Sequence, residues 1–154
     1  MTRSFMPVLM VAAGLGAFAV ALPSAAQFRK PAAAIEYRKG AMTVMSAHFY
    51  RAAAMAYGRV PFDAKAVADN IEVATFMSKL PFAGFVEGSE TGDTNALPKM
   101  WTEMDKFRAA ATKMQDEMTK LNSVAKTGDI DLIKPQVSAT DKACKACHDE
   151  YRKE

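Results

Sequence analysis

The stretch MWTEMDKFRAAATKMQDEMTKL, residues 100–121, carries apolar side chains at alternating spacings of four and three residues. This periodicity places them on one face of an α-helix and is typical of a helix that packs against other helices. The stretch therefore predicts a long helix, which Trp101 opens as a packing residue. Its apolar positions are Met100, Met104, Phe107, Ala111, Met114, Met118 and Leu121.

Three further segments show helical spacing of their apolar residues. The first covers about 31–57, and the second begins after Asp63, an N-cap residue type, and ends before Pro81. The last runs over about 129–151. We expect Pro135 to disturb this last helix near its start, because proline removes a helical hydrogen bond.

Four amphipathic helices without an alternating strand pattern predict an all-α fold, an antiparallel up-down-up-down four-helix bundle. Most of the connections are short. The exception is residues 82–97, whose Gly, Ser, Thr, Asp and Asn content indicates a loop. Long loops in compact domains are often functional.

The N-terminus has the layout of a secretory signal peptide. Arg3 precedes an uncharged run, residues 5–22, and small residues then lead to a cleavage point before Gln27. Residues 1–26 are therefore predicted to be removed, leaving 27–154 as one exported domain. An uncleaved membrane anchor is the alternative, because about 18 apolar residues can span a bilayer. The net charge of +3 is too small to indicate a nucleic-acid-binding protein.

The chemistry of the chain is concentrated in Cys144-Lys145-Ala146-Cys147-His148, the spacing of a c-type haem attachment motif. On a helix the two thiols and the imidazole lie at i, i+3 and i+4 and project from one face. The thiols can then add to the two vinyl groups of a haem while the imidazole reaches the iron. A thioredoxin-like pair, a structural disulfide and half of a zinc site are the alternatives.

Several segments together make the chain resemble the cytochrome c′ family over the whole of residues 27–154. The attachment motif alone is less specific, because it occurs in every class of c-type cytochrome. The segments are Gln27-Phe28-Arg29-Lys30-Pro31, Tyr37-Arg38-x-x-x-Met42, Leu80-Pro81-Phe82-Ala83-Gly84-Phe85, Gly88-x-x-x-Gly92-Asp93 and the ending from Cys144 to Arg152.

The resemblance implies one covalent haem c, whose iron is bound by His148 and whose other face is enclosed by apolar side chains. Cys144 and Cys147 would hold the haem covalently. Arg38 matches an arginine near a haem propionate, and Arg152 matches the arginine beside the axial histidine. The residues that the resemblance places around the haem are Arg38, Lys39, Met42, Phe85, Asp93 and Arg152.

Met42 has three interpretations that predict different proteins. It packs in the core as methionines commonly do, or it caps the sixth coordination position and leaves the iron five-coordinate and high-spin. In the third interpretation its thioether binds the iron and makes a low-spin electron carrier. His48 lies six residues further on and points away from the direction of Met42, so we expect a surface or hydrogen-bonded histidine.

The sequence and the resemblance together lead us to expect a periplasmic haem protein for electron transfer, for binding nitric oxide and carbon monoxide, or for both. It would not be an enzyme and would form a homodimer, with a redox partner that the sequence does not identify. A haem enzyme, such as a peroxidase or nitric oxide reductase, is one alternative. A haem-free dithiol oxidoreductase is the other.

Overall fold

A computed structural model of the protein describes residues 28–153. The predicted signal peptide, residues 1–26, lies outside this range. The described chain forms a bundle of four long helices. The connection between the second and third of these long helices contains one short helix and one 3-10 turn. The helices are α1 Pro31–Ala56, α2 Ala64–Met77, α3 Lys99–Thr102, α4 Met104–Ala125 and α5 Ile130–Tyr151, and the 3-10 turn is Pro81–Gly84.

Local signals in the sequence begin α1, α2 and α5. Pro31 occupies the first turn of α1, where its missing N–H group costs nothing. Asp63 caps α2 by accepting a hydrogen bond from the backbone N–H of Ala66, and Asp129 does the same for α5 at Asp131. After α1 the chain turns through Gly58, whose φ of +70° favours glycine. The predicted bounds of these three helices are confirmed within a few residues.

The predicted third helix is wrong in one respect, because the chain breaks it at Glu103 into α3 and α4. Trp101 therefore lies in the short α3 rather than at the start of the long helix. No Gly or Pro marks this break. Met100 and Phe107, on either side of it, form a buried cluster with Tyr151 of α5, whose hydroxyl donates to Glu103 at 3.4 Å. Contacts between helices thus override the local periodicity.

The expected disturbance at Pro135 is also absent, because α5 continues through this residue unbroken. Pro135 is the sixth residue of the helix, and the residue four positions before it, Asp131, is exposed. Water can therefore satisfy the carbonyl group that the proline leaves without a donor.

The four long helices pack in a ring, with α1 on α2, α2 on α4, α4 on α5 and α5 on α1. The core between them is apolar, and its fully buried members include Val67, Ile71, Met118, Leu121 and Ile133. The predicted all-α four-helix bundle is confirmed. Among residues 28–153, no helix is both long and apolar enough to cross a membrane.

The long connection is held against the bundle at two places. Its 3-10 turn packs on α1, where a Cβ added to Gly84 would lie 2.6 Å from the carbonyl oxygen of Ala34. At its other end, Leu97 donates to the carbonyl of Tyr151 and Lys153 donates to that of Asn95, both at 2.8 Å. The segment predicted as a loop is therefore fixed to both the first and the last long helix.

Candidate functional site

The C-terminal turns of α5 bring together the residues of the attachment motif. Cys144, Cys147 and His148 lie within one helical stretch, at the i, i+3 and i+4 positions predicted from the sequence. Both cysteines are half-buried free thiols, so they are not joined as the structural disulfide that the sequence left open. The described residues also contain no group of three or more His, Cys, Asp or Glu side chains that could hold a metal ion between them.

A cavity of about 460 Å³ lies beside this motif. Its volume falls within the range of roughly 300–1,000 Å³ that is usual for ligand pockets. α1, the long connection, α4 and α5 all contribute to its wall, together with Met100 of α3. The principal apolar lining residues are Met42, Met45, Phe49, Phe82, Phe85, Met100, Phe107, Met114, Met118 and Tyr151, and the motif contributes Cys144, Cys147 and His148.

The charged side chains that line the cavity are all basic. Arg38, Lys39 and Arg152 lie on its wall, and no aspartate or glutamate of the described residues does. A ligand with carboxylate groups therefore finds attractive charges at this wall. An apolar body with negatively charged edges is the kind of molecule that fits such a cavity.

Burial sets the protonation states of the motif. It raises the pKa of Cys144 to about 11, with a further contribution from Asp141, and it also raises the pKa of Cys147. The pKa of His148 is lowered by burial and then by the charge of Arg152. At neutral pH the thiols are therefore protonated and the imidazole is neutral, which is the form that donates a lone pair to a metal ion.

Arg38 is buried, with 3% of its surface exposed, and it has no carboxylate partner among the described ion pairs. Its guanidinium group lies over the ring of Phe85, 4.6 Å from the centroid, and 5.6 Å from that of Trp101. Burial lowers the pKa of Arg38, although an arginine stays protonated in proteins. Neutral acceptors compensate the burial of this cation without cancelling its charge, so Arg38 still attracts an anionic group at the wall.

The other residues predicted around the haem divide into two groups. Met42 and Phe85 contribute directly to the apolar wall. Lys39 also lies on the wall and forms an ion pair of 2.6 Å with Asp93. Asp93 itself is not a lining residue, and its side chain is 95% exposed. It reaches the site through Lys39 rather than by direct contact with the cavity.

His48 is hydrogen-bonded outside the cavity, as expected. Its Nδ1 lies 2.9 Å from Oδ1 of Asn70 on α2, and it is not a lining residue. His148 is consequently the one imidazole at the cavity wall within the described part of the chain.

Sequence reasoning missed an aromatic cluster that forms one end of the cavity. Phe85 and Phe107 pack edge to face with ring centroids 4.9 Å apart, and Phe107 and Tyr151 do so at 5.5 Å. Phe82 lies against Phe107 at 5.7 Å. The apolar spacing identified Phe107 as buried, but nothing local showed that these rings from three parts of the chain would meet.

The donor set and the wall of this cavity fit a covalently attached haem. Two thiols and a neutral imidazole project from one helix face, and apolar side chains surround the space beside them. Three cations can attract the two carboxylate groups of a haem. A thioredoxin-like site is a poor fit, because that motif belongs next to a βαβ unit and residues 28–153 contain no strand beyond one isolated bridge.

Comparison with known proteins points to a single family. The family model described as cytochrome C′ matches residues 33–152. A curated cytochrome c′ from Rubrivivax gelatinosus is 46% identical over 127 residues, covering 82% of this chain and 98% of that protein. The crystal structure of cytochrome c′ from Rubrivivax gelatinosus gives a TM-score of 0.80, covering 82% of this chain and 100% of the solved chain.

Two further solved structures agree. Cytochrome c′ from Shewanella frigidimarina is 39% identical with a TM-score of 0.80, covering 82% of this chain and 99% of that chain. A nitric oxide complex of a cytochrome c′ variant from Alcaligenes xylosoxidans is 38% identical with a TM-score of 0.77 and the same coverage. Cytochromes c′ are c-type haem proteins that contain iron, and their haem is attached covalently. On the fold, the attachment motif and these matches, the chain belongs to the cytochrome c′ family.

Proposed function

We propose that this chain is a periplasmic, five-coordinate haem protein that binds nitric oxide and carbon monoxide and exchanges electrons with a redox partner. Cys144 and Cys147 would hold the haem through thioether bonds, and His148 would bind its iron. The observation that carries the proposal is the composition of the cavity wall. The wall combines one imidazole and two thiols with a largely apolar lining and three basic side chains.

Bound haem supplies an iron that changes between the ferric and ferrous states and offers a coordination position to a diatomic gas. The protein's residues decide what reaches that position. Met42 lines the cavity and packs against the main hydrophobic core, so its side chain is supported by neighbours without a bond to iron. It acts as a cap that admits small uncharged ligands and excludes larger ones.

The visible and magnetic spectra of the purified ferric and ferrous protein, with and without nitric oxide, test this proposal. We expect high-spin spectra and binding of nitric oxide to the ferrous form. Met42→Ala should stay high-spin and admit larger ligands, such as alkyl isocyanides, at least tenfold more tightly. Met45→Ala is the matched control, because Met45 lines the same cavity from the same helix.

The main competing function, a low-spin electron carrier, predicts a different result. A sulfur-to-iron band in the red would then appear in the wild type and disappear in Met42→Ala but not in Met45→Ala. That outcome would show that Met42 is a ligand. Purified protein without Soret absorption, despite the presence of haem-maturation proteins, would instead support the dithiol oxidoreductase.

We further propose that the protein is not a turnover enzyme. Peroxidase chemistry usually requires a polar acid–base group near the iron. The cavity wall offers the hydroxyl groups of Thr43, Ser46, Tyr50, Thr94 and Tyr151, but no carboxylate of the described residues. Steady consumption of hydrogen peroxide with a good electron donor would contradict this part of the proposal.

Export through removal of residues 1–26 completes the proposed location. The Rubrivivax gelatinosus relative is matched over 98% of its length by 82% of this chain, which leaves room for a leader beyond the shared domain. Mass spectrometry of protein from a periplasmic extract should give a chain that begins at Gln27. A membrane-bound chain that retains residues 1–26 would indicate an uncleaved anchor.

We also propose a homodimer formed by the outer faces of α1 and α2. Val44 on α1 and Val73 and Phe76 on α2 are exposed, and Phe76 has 65% of its surface accessible. An exposed aromatic residue beside other apolar groups is typical of an interaction surface. Sedimentation should give a dimer for the wild type and a monomer for Phe76→Asp. A monomeric wild type at micromolar concentration would contradict this assembly.

A further inference from the structure

The hydrogen bonds of Arg38 use nearly all of its donors on the protein itself. A guanidinium group has five N–H donors, four of them on its two terminal nitrogens. One terminal nitrogen donates to the carbonyl of Gly84 at 2.8 Å and to the hydroxyl of Ser89 at 2.7 Å. The other donates to the carbonyl of Ser89 at 2.8 Å and to the hydroxyl of Thr94 at 2.7 Å. Only Nε–H is left without a partner among the described residues.

The acceptors in this network are themselves oriented by further contacts. Ser89 is completely buried, and its hydroxyl donates to the carbonyl of Val86 at 2.6 Å while it accepts from Arg38. The hydroxyl of Thr94 accepts a second hydrogen bond from the backbone N–H of Ala96 at 3.1 Å. Both hydroxyl oxygens therefore accept hydrogen bonds from Arg38, as they must, because a guanidinium group can only donate.

The packing of Gly84 gives a second, independent sign that this segment is fixed on α1. A Cβ at this position would lie 2.6 Å from the carbonyl oxygen of Ala34 and 2.9 Å from Cβ of Arg38. The backbone of the connection at Gly84 thus packs directly against α1 between Ala34 and Arg38. Close packing and four hydrogen bonds act at the same place.

The other two basic residues on the cavity wall also keep donors free, one on Lys39 and all of those on the Arg152 guanidinium group. Lys39 uses two of its three N–H groups on Asp93. The guanidinium group of Arg152 has no hydrogen-bond partner among the described residues, although the residue lines the cavity. A cofactor carboxylate can bind these two side chains without breaking any contact that holds the connection in place.

From this arrangement we propose that Arg38 clamps the connection, residues 84–94, onto α1 in the haem-loaded protein, and that Ser89 and Thr94 are the positioning residues that hold its guanidinium. Arg38 then has one donor, Nε–H, for the cofactor and acts on it mainly as a fixed charge. The inference rests on the proposed haem pocket and adds to it what holds the connection in place at the pocket wall.

Hydrogen exchange of the haem-loaded protein tests the clamp. The measured peptide spans residues 86–90, which excludes Thr91, Thr94 and the amide of Ala96 that the Thr94 hydroxyl binds. In Thr94→Val we expect exchange in this peptide to accelerate about tenfold, the factor expected for one lost hydrogen bond to a charged donor. Thr94→Ser keeps the hydroxyl and should exchange at the wild-type rate. Thr91→Val is the control, because Thr91 is exposed in the same connection.

A double-mutant cycle with Arg38→Lys separates the clamp from a general loosening of the connection. Lysine keeps the charge but cannot make four hydrogen bonds in a fork. We expect Arg38→Lys alone to accelerate exchange at least tenfold, and Thr94→Val to add little to that variant. Additive effects of the two substitutions would overturn the proposal.

Wild-type exchange rates in haem-loaded Thr94→Val would also overturn it, because Arg38 would then have left the connection for the cofactor. The Soret absorption and stoichiometric nitric oxide binding of the same samples report on the proposed function separately. Failure of those two readouts in the wild type would refute the haem pocket. A normal haem with unchanged exchange would refute only the clamp.

Discussion

Gly84 provides a sharp test of how the long connection packs on the bundle, through the substitution Gly84→Ala. The added Cβ would approach the backbone oxygen of Ala34 to 2.6 Å and Cβ of Arg38 to 2.9 Å. Neither atom belongs to the flexible end of a side chain, so the connection itself must move away from α1. That movement stretches the 2.8 Å hydrogen bond from Arg38 to the carbonyl of Gly84.

The cost of this substitution has two parts. Overpacking in a rigid environment costs about 1–3 kcal/mol, and weakening a hydrogen bond to a charged donor adds about 1 kcal/mol or more. We therefore expect Gly84→Ala to lower the free energy of unfolding by about 2–4 kcal/mol. With a urea dependence of about 2 kcal/mol per molar, the unfolding midpoint of the haem-loaded protein should fall by about 1–2 M.

Gly40→Ala is the matched control, because the same chemical change is made in open space. Gly40 lies inside α1 and a Cβ there would meet nothing within 4 Å. Alanine should therefore stabilise the helix by about 0.5–1 kcal/mol. Urea unfolding followed by circular dichroism measures the free energy of unfolding of both variants. Repeating it at two protein concentrations shows any effect on association. Equal stability of Gly84→Ala and the wild type would refute the close packing described above.

Three further predictions concern the bundle. Met118 is 1% exposed in the core, so Met118→Ala should cost about 2–5 kcal/mol in thermal or urea unfolding; a loss below 1 kcal/mol would show that the site collapses around the smaller side chain. Asp63→Ala removes the α2 cap and should cost about 1 kcal/mol, whereas Asp63→Asn should retain most of the stability. A hydrogen bond from Lys120 holds the pKa of Glu117 below its ordinary value of 4.5, so its contribution to stability is present above pH 4.5 and is lost as the pH falls through the lowered pKa. Glu117→Gln should be less stable than the wild type at pH 7 and approach it at pH 3, and a constant difference in unfolding midpoint between these pH values would contradict this assignment.

The parts of the fold that were predictable depend on signals within a few residues. Pro31, Asp63 and Asp129 act on the helix that each one begins, so their effects can be read from the adjacent sequence. At the break, the side chain of Glu103 accepts a hydrogen bond from Tyr151, which lies 48 residues further along the chain. A local pattern cannot contain that contact, and the periodicity accordingly predicted one continuous helix.

The candidate site likewise contains residues that a local pattern predicts and residues whose role depends on distant contacts. The motif at Cys144, Cys147 and His148 is contained in two turns of α5 and was identified from its spacing. Ser89 gave no comparable signal, because a serine in a polar connection is usually exposed. Its burial follows from the approach of Arg38, 51 residues away. Family resemblance placed Arg38 near the haem, but only the structure shows which atoms its guanidinium binds.

The cavity wall joins the first and last long helices, and this has a consequence for how the protein matures. In the proposed haem protein, covalent capture of the haem requires Cys144 and Cys147, which are three residues apart and need only one turn of helix. Enclosure requires Met42 and Arg38 of α1, more than 100 residues earlier in the chain. Contacts over such separations form late, because the entropy of closing a long loop must be overcome first. The chain can thus be attached to its haem while still open, and the bundle then closes around a ligand that is already in place.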